Sequence, residues 1–484
     1  MSAPRCRRVV DDGVVFLLTY VAYALLHANR KAFCNLKPTI SRVWTPESQN
    51  ESLPTLFPPE KWNRRARLFD SDNDAAVFLG VLDSLFMFSY ALGLYVSGWL
   101  GDRFSHRKVL FFGLLLSSLI IFLFGVVTEW AQFYDRFIYC ILWLTNGLSQ
   151  STVWPSAVAI LNSRLGNFRG FILGTWSSCA SAGNIISDLL VGLLVPFGYH
   201  YGFLVPCVVM FMFSFTLYFG LLDTPTPPEN PHTPGIIAVH EDNDDSAEEK
   251  QLIQTSSPMH RNISFWRVFF VSGVMLSSLA YACIKLVNYA LFFWLTFYLT
   301  SDFGWSNSDA STFSVWYDVG GILGGIVAGL LSDLLVRHMS RNSVILLFSL
   351  LAVPALLGYR HTPPSPAWAN ALVMAVAGLL VGGPAVLIST VVIRELSESA
   401  ELRGGRTQAT IAGIIDGTGS LGASLGQIFI PYLAFRFGWS SAFYLFIICM
   451  ILTCICVLPL WIKTRVEENQ RPSSEMINTI QSRS

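Results

Sequence analysis

The 484-residue chain is long enough for two or three soluble domains, yet 52% of its residues are hydrophobic and only 13% are charged, about half the share usual in a globular protein. Its 32 basic residues balance 32 acidic ones, which excludes the basic face of a nucleic-acid binder. A mean hydropathy of +0.50, with the apolar residues gathered in long blocks, leaves an all-α polytopic membrane protein.

Crossing about 30 Å of hydrocarbon takes roughly 20 mostly apolar residues. That measure predicts twelve spans, at 14–34, 75–99, 109–128, 133–162, 170–194, 200–222, 267–299, 311–335, 343–359, 367–393, 408–434 and 438–462. Residues 1–13 carry Arg5, Arg7 and Arg8 ahead of the first span, and no small-residue cleavage site follows it, so the span reads as a retained helix rather than a signal peptide. Residues 35–74 form a loop with the sequon Asn50-Glu51-Ser52. Six spans make a bundle over 14–222 and six another over 267–462. Between them, residues 223–266 are Pro-rich and then acidic (Glu241, Asp242, Asp244, Asp245, Glu248, Glu249), a composition that buries no core and reads as a disordered linker. Residues 463–484 are a polar tail. Nine cysteines lie mostly in apolar blocks without metal-ligand spacing, so neither metal nor cofactor is expected.

Basic residues after the second, fourth, eighth and tenth spans (Arg103, Arg107, Lys108, Arg164, Arg169, Arg337, Arg341, Arg394, Arg403, Arg406) outnumber those on the other side. By the positive-inside rule both termini and the linker are cytosolic and the 35–74 loop is luminal, which makes Asn50 a glycan site. The halves repeat each other: Gly98-Trp-Leu-Gly-Asp102 closes the second span and Gly329-Leu-Leu-Ser-Asp333 the eighth, each followed by a basic residue, Arg107 or Arg337. Two homologous bundles with a central site describe many secondary transporters.

The strongest signal is charge where lipid should forbid it. An Arg or Lys at mid-helix costs at least about 2.5–3.5 kcal/mol on insertion scales. Arg30 and Lys31 lie deep in the first span and Lys285 near the middle of the seventh, the equivalent helix of the second half. Two cations facing each other repel, so an anion is the natural third party. A phosphate group accepts a bidentate fork from Arg30, with Lys285 as a point charge. The competing reading has each cation snorkel or pair with a helix carboxylate such as Asp83, Asp318 or Asp416. Asp83 and Asp318, on equivalent helices, would neutralise Lys31 or Lys285 in one conformation and release it in another, or serve as fixed ion pairs; Asp416, beside Gly417-Thr-Gly-Ser420, reads first as a position of close helix packing.

Gly98-x-x-x-Asp102-Arg103 with Arg107-Lys108 resembles the loop motif of the major facilitator superfamily, departing from it at Ser105 and His106. Tyr23-x-x-x-His27-x-x-Arg30-Lys31, Trp154-Pro155, Gly183-Asn184, Lys285-Leu-Val-Asn288-Tyr289, Trp316-Tyr-Asp318-Val-Gly-Gly and Asp416-Gly-Thr-Gly-Ser420 resemble the sugar-phosphate exchangers, the eukaryotic organophosphate:phosphate antiporters of that superfamily. The resemblance implies twelve helices in two six-helix bundles, and basic residues of the first and seventh helices clamping a phosphoryl group. Cys179 stands where some such antiporters carry a site histidine, which separates this chain from an ordinary glucose-6-phosphate carrier without touching the clamp.

His27 lies near the face of Arg30, and Tyr23, Trp176, Tyr281 and Asn288 stand close enough to contact the organic part of a substrate, or simply to pack. Asp102, Arg103, Arg107, Asp333 and Arg337 form a conformational gate of ion pairs at the cytosolic helix ends. With no Walker motif or nucleophile–base set, no enzyme is expected. The expected partners are a phosphorylated small anion, inorganic phosphate, membrane lipid and, as an open option, an accessory membrane subunit; no nucleic acid is expected. Exchange by alternating access leads. Lysosomal export of other phosphorus oxyacids such as phosphonates, and a transport-inactive receptor or scaffold, are the rivals. Glu248-Glu-Lys-Gln-Leu252-Ile253 fits an acidic dileucine signal, so the address is endomembrane, endoplasmic reticulum or lysosome.

Overall fold

The computed structural model describes residues 3–45, 68–103, 105–131, 133–164, 175–176, 178–221, 265–334, 340–397 and 408–470. Among these, every regular element is a helix, as a bilayer demands of a chain whose backbone polar groups must find partners within each span. Apart from short helical turns, in chain order these are α1 (Ala3–Val43), α2 (Asp72–Arg103), α3 (His106–Phe122), α4 (Arg136–Ser151), α5 (Val153–Arg164), α6 (Cys179–Leu194), α7 (Tyr199–Gly220), α8 (Phe265–Phe269), α9 (Ser272–Phe303), α10 (Asn307–Leu334), α11 (Arg341–His361), α12 (Ala367–Leu387), α13 (Gln408–Phe437) and α14 (Trp439–Gln470). Turns of π-helix extend α3 over Leu123–Val127 and α12 over Ile388–Val392.

Ten helical stretches among the described residues are long and apolar enough to cross a membrane. The other two expected spans are helical but less apolar or less continuous. The fourth is interrupted at Thr152, between α4 and α5, and Pro155 sits in the first turn of α5, where its missing N–H leaves no helical bond unmade. The eleventh is α13, which carries Asp416, Ser420 and Gln427 along its length. The first span outruns its expected end at 34: α1 continues through Lys37 and Pro38 to Val43.

Within the first half, α1 packs on α6 and α7. Gly183 of α6 lies so close to α1 that a Cβ there would overlap the Ala24 carbonyl; Gly320 of α10 meets the Ala375 carbonyl of α12 in the same way. Such approaches are how small residues hold helices together where lipid offers no hydrophobic drive. Between the halves, α2 packs on α13, α6 on α10 and α1 on α9.

Three of the hydrogen bonds that join the halves lie towards the membrane face where α1 ends, called here the far side. Asn35 Oδ1 accepts from Thr296 Oγ1 at 2.8 Å, Asn307 Nδ2 donates to Thr39 Oγ1 at 2.8 Å, and Ser308 Oγ donates to the Gly192 carbonyl at 2.5 Å. Ser84 and Ser424 meet at 3.0 Å nearer mid-helix. The halves are thus closed on one another at the far side.

Candidate functional site

Four cations and four carboxylates are buried or half-buried along α1, α2, α6, α9, α10 and α13, and their partners differ. Arg30 is 4% exposed. Its Nε and Nη2 both donate to Gln150 Oε1 of α4, at 3.0 and 2.9 Å. Gln150 is itself held, its Nε2 donating to Ser117 Oγ at 3.0 Å and Asn146 Oδ1 at 3.2 Å. The guanidinium lies 4.9 Å over the Phe86 ring and 5.0 Å over the Tyr90 ring. Its Nη1 is buried with no hydrogen-bond partner among the described residues. Arg30 is therefore fixed in place by a neutral amide and two ring faces, none of which cancels its charge.

Lys285 is treated otherwise. Its Nζ donates to Asp416 Oδ1 at 2.6 Å and Ser420 Oγ at 2.8 Å, both on α13, and lies 5.5 Å from the Tyr281 ring and 5.4 Å from that of Tyr289. Of the two readings of Asp416, packing position or partner of a buried cation, the structure shows the second: it is the counter-ion of Lys285, the small residues around it admit the lysine stem, and a Cβ on Gly419 would crowd both Tyr281 and Lys285. Tyr90 on α2 and Tyr289 on α9 each lie within electrostatic reach of both Arg30 and Lys285, so the two cations share one neighbourhood.

Asp83 corrects a second expectation. It does not face Lys31 or Lys285 but forms a fully buried pair with Lys37. That lysine also donates to the Phe293 carbonyl at 3.1 Å and sits 4.1 Å over the Trp294 ring. Lys37 lies beyond the first span expected from sequence; because α1 extends to Val43, its charge needs a carboxylate inside the bundle. Asp318 does meet Lys31, at 3.8 Å, alongside Asp188 of α6 at 3.9 Å.

His27 Nδ1 lies 3.2 Å from Asn184 Oδ1, and Asn184 Nδ2 donates to Asp318 Oδ1 at 2.7 Å. The Tyr23 ring is tilted against those of His27 at 4.8 Å, Trp154 at 4.9 Å and Trp176 at 5.7 Å, and Trp176 Nε1 donates to Thr19 Oγ1 at 3.2 Å. Those residues form one aromatic wall on the side of α1 that meets α5 and α6. In the second half Asn288 Oδ1 accepts from Tyr317 OH at 2.9 Å.

Of the gate residues, Arg107 donates to the Leu221 carbonyl at 2.9 Å and lies 4.4 Å over the Tyr218 ring, bracing its own half. Asp333 stands 3.9 Å from Arg341. Arg337 and the glycan candidate Asn50 lie outside the described residues, as do the side chains of Asp102 and Arg103. Gln150, Asp188 and Lys37 escaped sequence reasoning. Asp188 carried the same signal that exposed Arg30, a charge inside an apolar block; Lys37, beyond the expected end of the first span, and Gln150, uncharged, carried none.

The Major Facilitator Superfamily profile matches residues 70–405. Sugar phosphate exchanger 3 of Bos taurus is 42% identical over 481 residues, covering 96% of each chain. Its Homo sapiens counterpart is 42% identical over 466 residues, 93% of this chain and 92% of that one. A glucose-6-phosphate exchanger of Mus musculus is 31% identical, covering 92% and 90%. Among solved structures, a bacterial homologue of the human lysosomal transporter Spinster, inward-facing and unoccupied, superposes with a TM-score of 0.63 at 14% identity, over 96% of this chain and 99% of that one. A D-xylose–proton symporter gives 0.63 at 13% identity, over 92% and 96%.

Proposed function

Since the chain belongs to the sugar phosphate exchangers of the major facilitator superfamily, we propose that it is a secondary transporter that exchanges a phosphorylated sugar, or a similar phosphorylated organic anion, for inorganic phosphate by alternating access. The observation that carries this reading is Arg30, buried, oriented by Gln150 and left with a charge that no carboxylate among the described residues balances. A buried cation in that state is stabilised by an arriving oxyanion. Nη1 supplies a free donor, and a phosphate oxygen that displaces Gln150 from Nη2 completes a fork.

Lys285 is the second contact, in competition with Asp416 for the same ammonium. The Tyr23–His27–Trp176 wall, with Tyr281 and Asn288 opposite, receives the organic part. With Arg30 unbalanced, moving the empty site between the two faces of the membrane is unfavourable, so the loaded carrier crosses faster and net flux becomes exchange. Its relatives, named as exchangers of sugar phosphate and of glucose 6-phosphate, support that reading. The basic loops support cytosolic termini and the acidic dileucine pattern supports an endomembrane address; on that reading the far side is luminal and Asn50 is the glycan site.

The test is uptake of labelled phosphate into proteoliposomes preloaded with phosphate, a sugar phosphate, a phosphonate or buffer. Uptake stimulated by an internal organophosphate and abolished in Arg30→Ala is the expected result. Equal uptake with and without internal anion would refute exchange.

A further inference from the structure

Lys31 is shared by two buried carboxylates, one from each half: Asp188 of α6 at 3.9 Å and Asp318 of α10 at 3.8 Å. The hydrogen bond that its Nζ donates goes to the Phe292 carbonyl at 3.2 Å. Each carboxylate uses Oδ1 to accept from an amide, Asp188 from Asn35 Nδ2 and Asp318 from Asn184 Nδ2, both at 2.7 Å. The Oδ2 atoms of both are buried without a hydrogen-bond partner among the described residues.

Two negative charges on one positive charge leave one uncompensated. Of the other cations on the surrounding helices, Lys37 is paired with Asp83 of α2 and Lys285 of α9 with Asp416 of α13, while Arg30, its charge uncancelled, is turned to Gln150 and forms an ion pair with neither carboxylate. His27 of α1 reaches the cluster only through Asn184. An unpaired carboxylate out of water is costly enough that the group neutralises instead, and two carboxylates in one site hold a proton as a pair.

Because Asp188 and Asp318 belong to opposite halves, they share Lys31 only while the far side is closed. Separation there would leave Lys31 with Asp188, its neighbour in the same half, as a balanced pair, and would expose Asp318 to water, where its charge is solvated. The proton is then no longer needed. We propose that Asp188 and Asp318 form a proton-binding site across the interface of the halves, which takes up one proton as the far side closes and releases it as that side opens. Under the exchange reading, on which this consequence rests, a proton gradient would drive or bias transport. A dianionic phosphate ester at Arg30 adds two negative charges to the buried set, and the proton offsets one.

By linkage, the state that binds the proton gains as pH falls. Spin labels at Ala131 and Pro364, exposed on the far side of the first and second halves, report closure in full-length protein in nanodiscs without any need for transport. As pH falls from about 8 to about 5, the short-distance population should grow several-fold in wild type and stay constant in Asp188→Asn and in Asp318→Asn. Should one variant fail to fold, the other decides. No pH response in wild type, or an undiminished response in a folded variant, overturns the proposal. A parallel measurement of labelled-phosphate counterflow under an imposed pH gradient separates the two readings. If closure responds to pH through the pair but no counterflow occurs, the exchange reading fails and the proton site stands. If counterflow occurs but neither it nor closure depends on the pair, the proton site fails alone.

Discussion

On α1 the mid-membrane Arg30 meets a neutral amide, whereas on α9, the corresponding helix of the second half, Lys285 meets a carboxylate. Both contacts hold a cation still, but only the second cancels its charge. Arg30 therefore keeps its full attraction for an anion, and Lys285 offers its charge only to a ligand that competes with Asp416. A third arrangement, Lys37 with Asp83, is closed by burial on both sides and serves the architecture of the halves. Position in the repeat does not set the role of a buried cation; its partner does.

The sharpest test of that distinction is the purely structural pair. Lys37→Met strands Asp83 as a buried charge and should destabilise the protein by about 3–5 kcal/mol, seen as a large drop in thermal unfolding temperature in detergent. Lys37→Met with Asp83→Leu should recover most of it, since a buried pair replaced by apolar groups is often close to neutral. Arg30→Ala should leave stability far less affected, because Gln150 keeps its bonds to Ser117 and Asn146. Its exchange should fall by about 100-fold, two charge-assisted hydrogen bonds at about 1.5 kcal/mol each. Arg30→Lys, retaining charge without the fork, should lie between. If Arg30→Ala unfolds the protein while Lys37→Met merely slows transport, the roles have been assigned the wrong way round.

The fold was legible because lipid forces long apolar blocks, and Arg30 and Lys285 were legible because a charge inside such a block has no ordinary reason to be there. Failures came where a partner removed the anomaly. Lys37 and Pro38 look like the end of a span, yet α1 runs on because Asp83, on another helix, balances the lysine. Asp188 sits in plain view in the fifth span, but its significance depends on Asp318 in the other half. Gln150 bears no charge and is recognisable only by the two donors it receives. Interruption of the fourth span at Thr152 has a local cue in Pro155, which marks a helix start as readily as a kink.

The finest discrimination concerns Asp416. If it is a placeholder that phosphate displaces from Lys285, Asp416→Asn should tighten phosphate, lowering the half-saturating concentration by about tenfold, the worth of one charge-assisted hydrogen bond. Turnover should fall with it, because the carboxylate no longer returns to expel the product. If Asp416 is instead a fixed counter-ion like Asp83, the same substitution should leave affinity unchanged and reduce thermal stability. Ser420→Ala provides the smallest step in the same direction. It removes a neutral acceptor 2.8 Å from Lys285 Nζ, and about 0.5–1.5 kcal/mol with it. Because the hydroxyl competes with no anion for charge, its loss should move half-saturation by a few-fold at most. A Ser420→Ala effect as large as that of Asp416→Asn would mean that the orientation of Lys285, rather than competition for its charge, governs how tightly the second half holds phosphate.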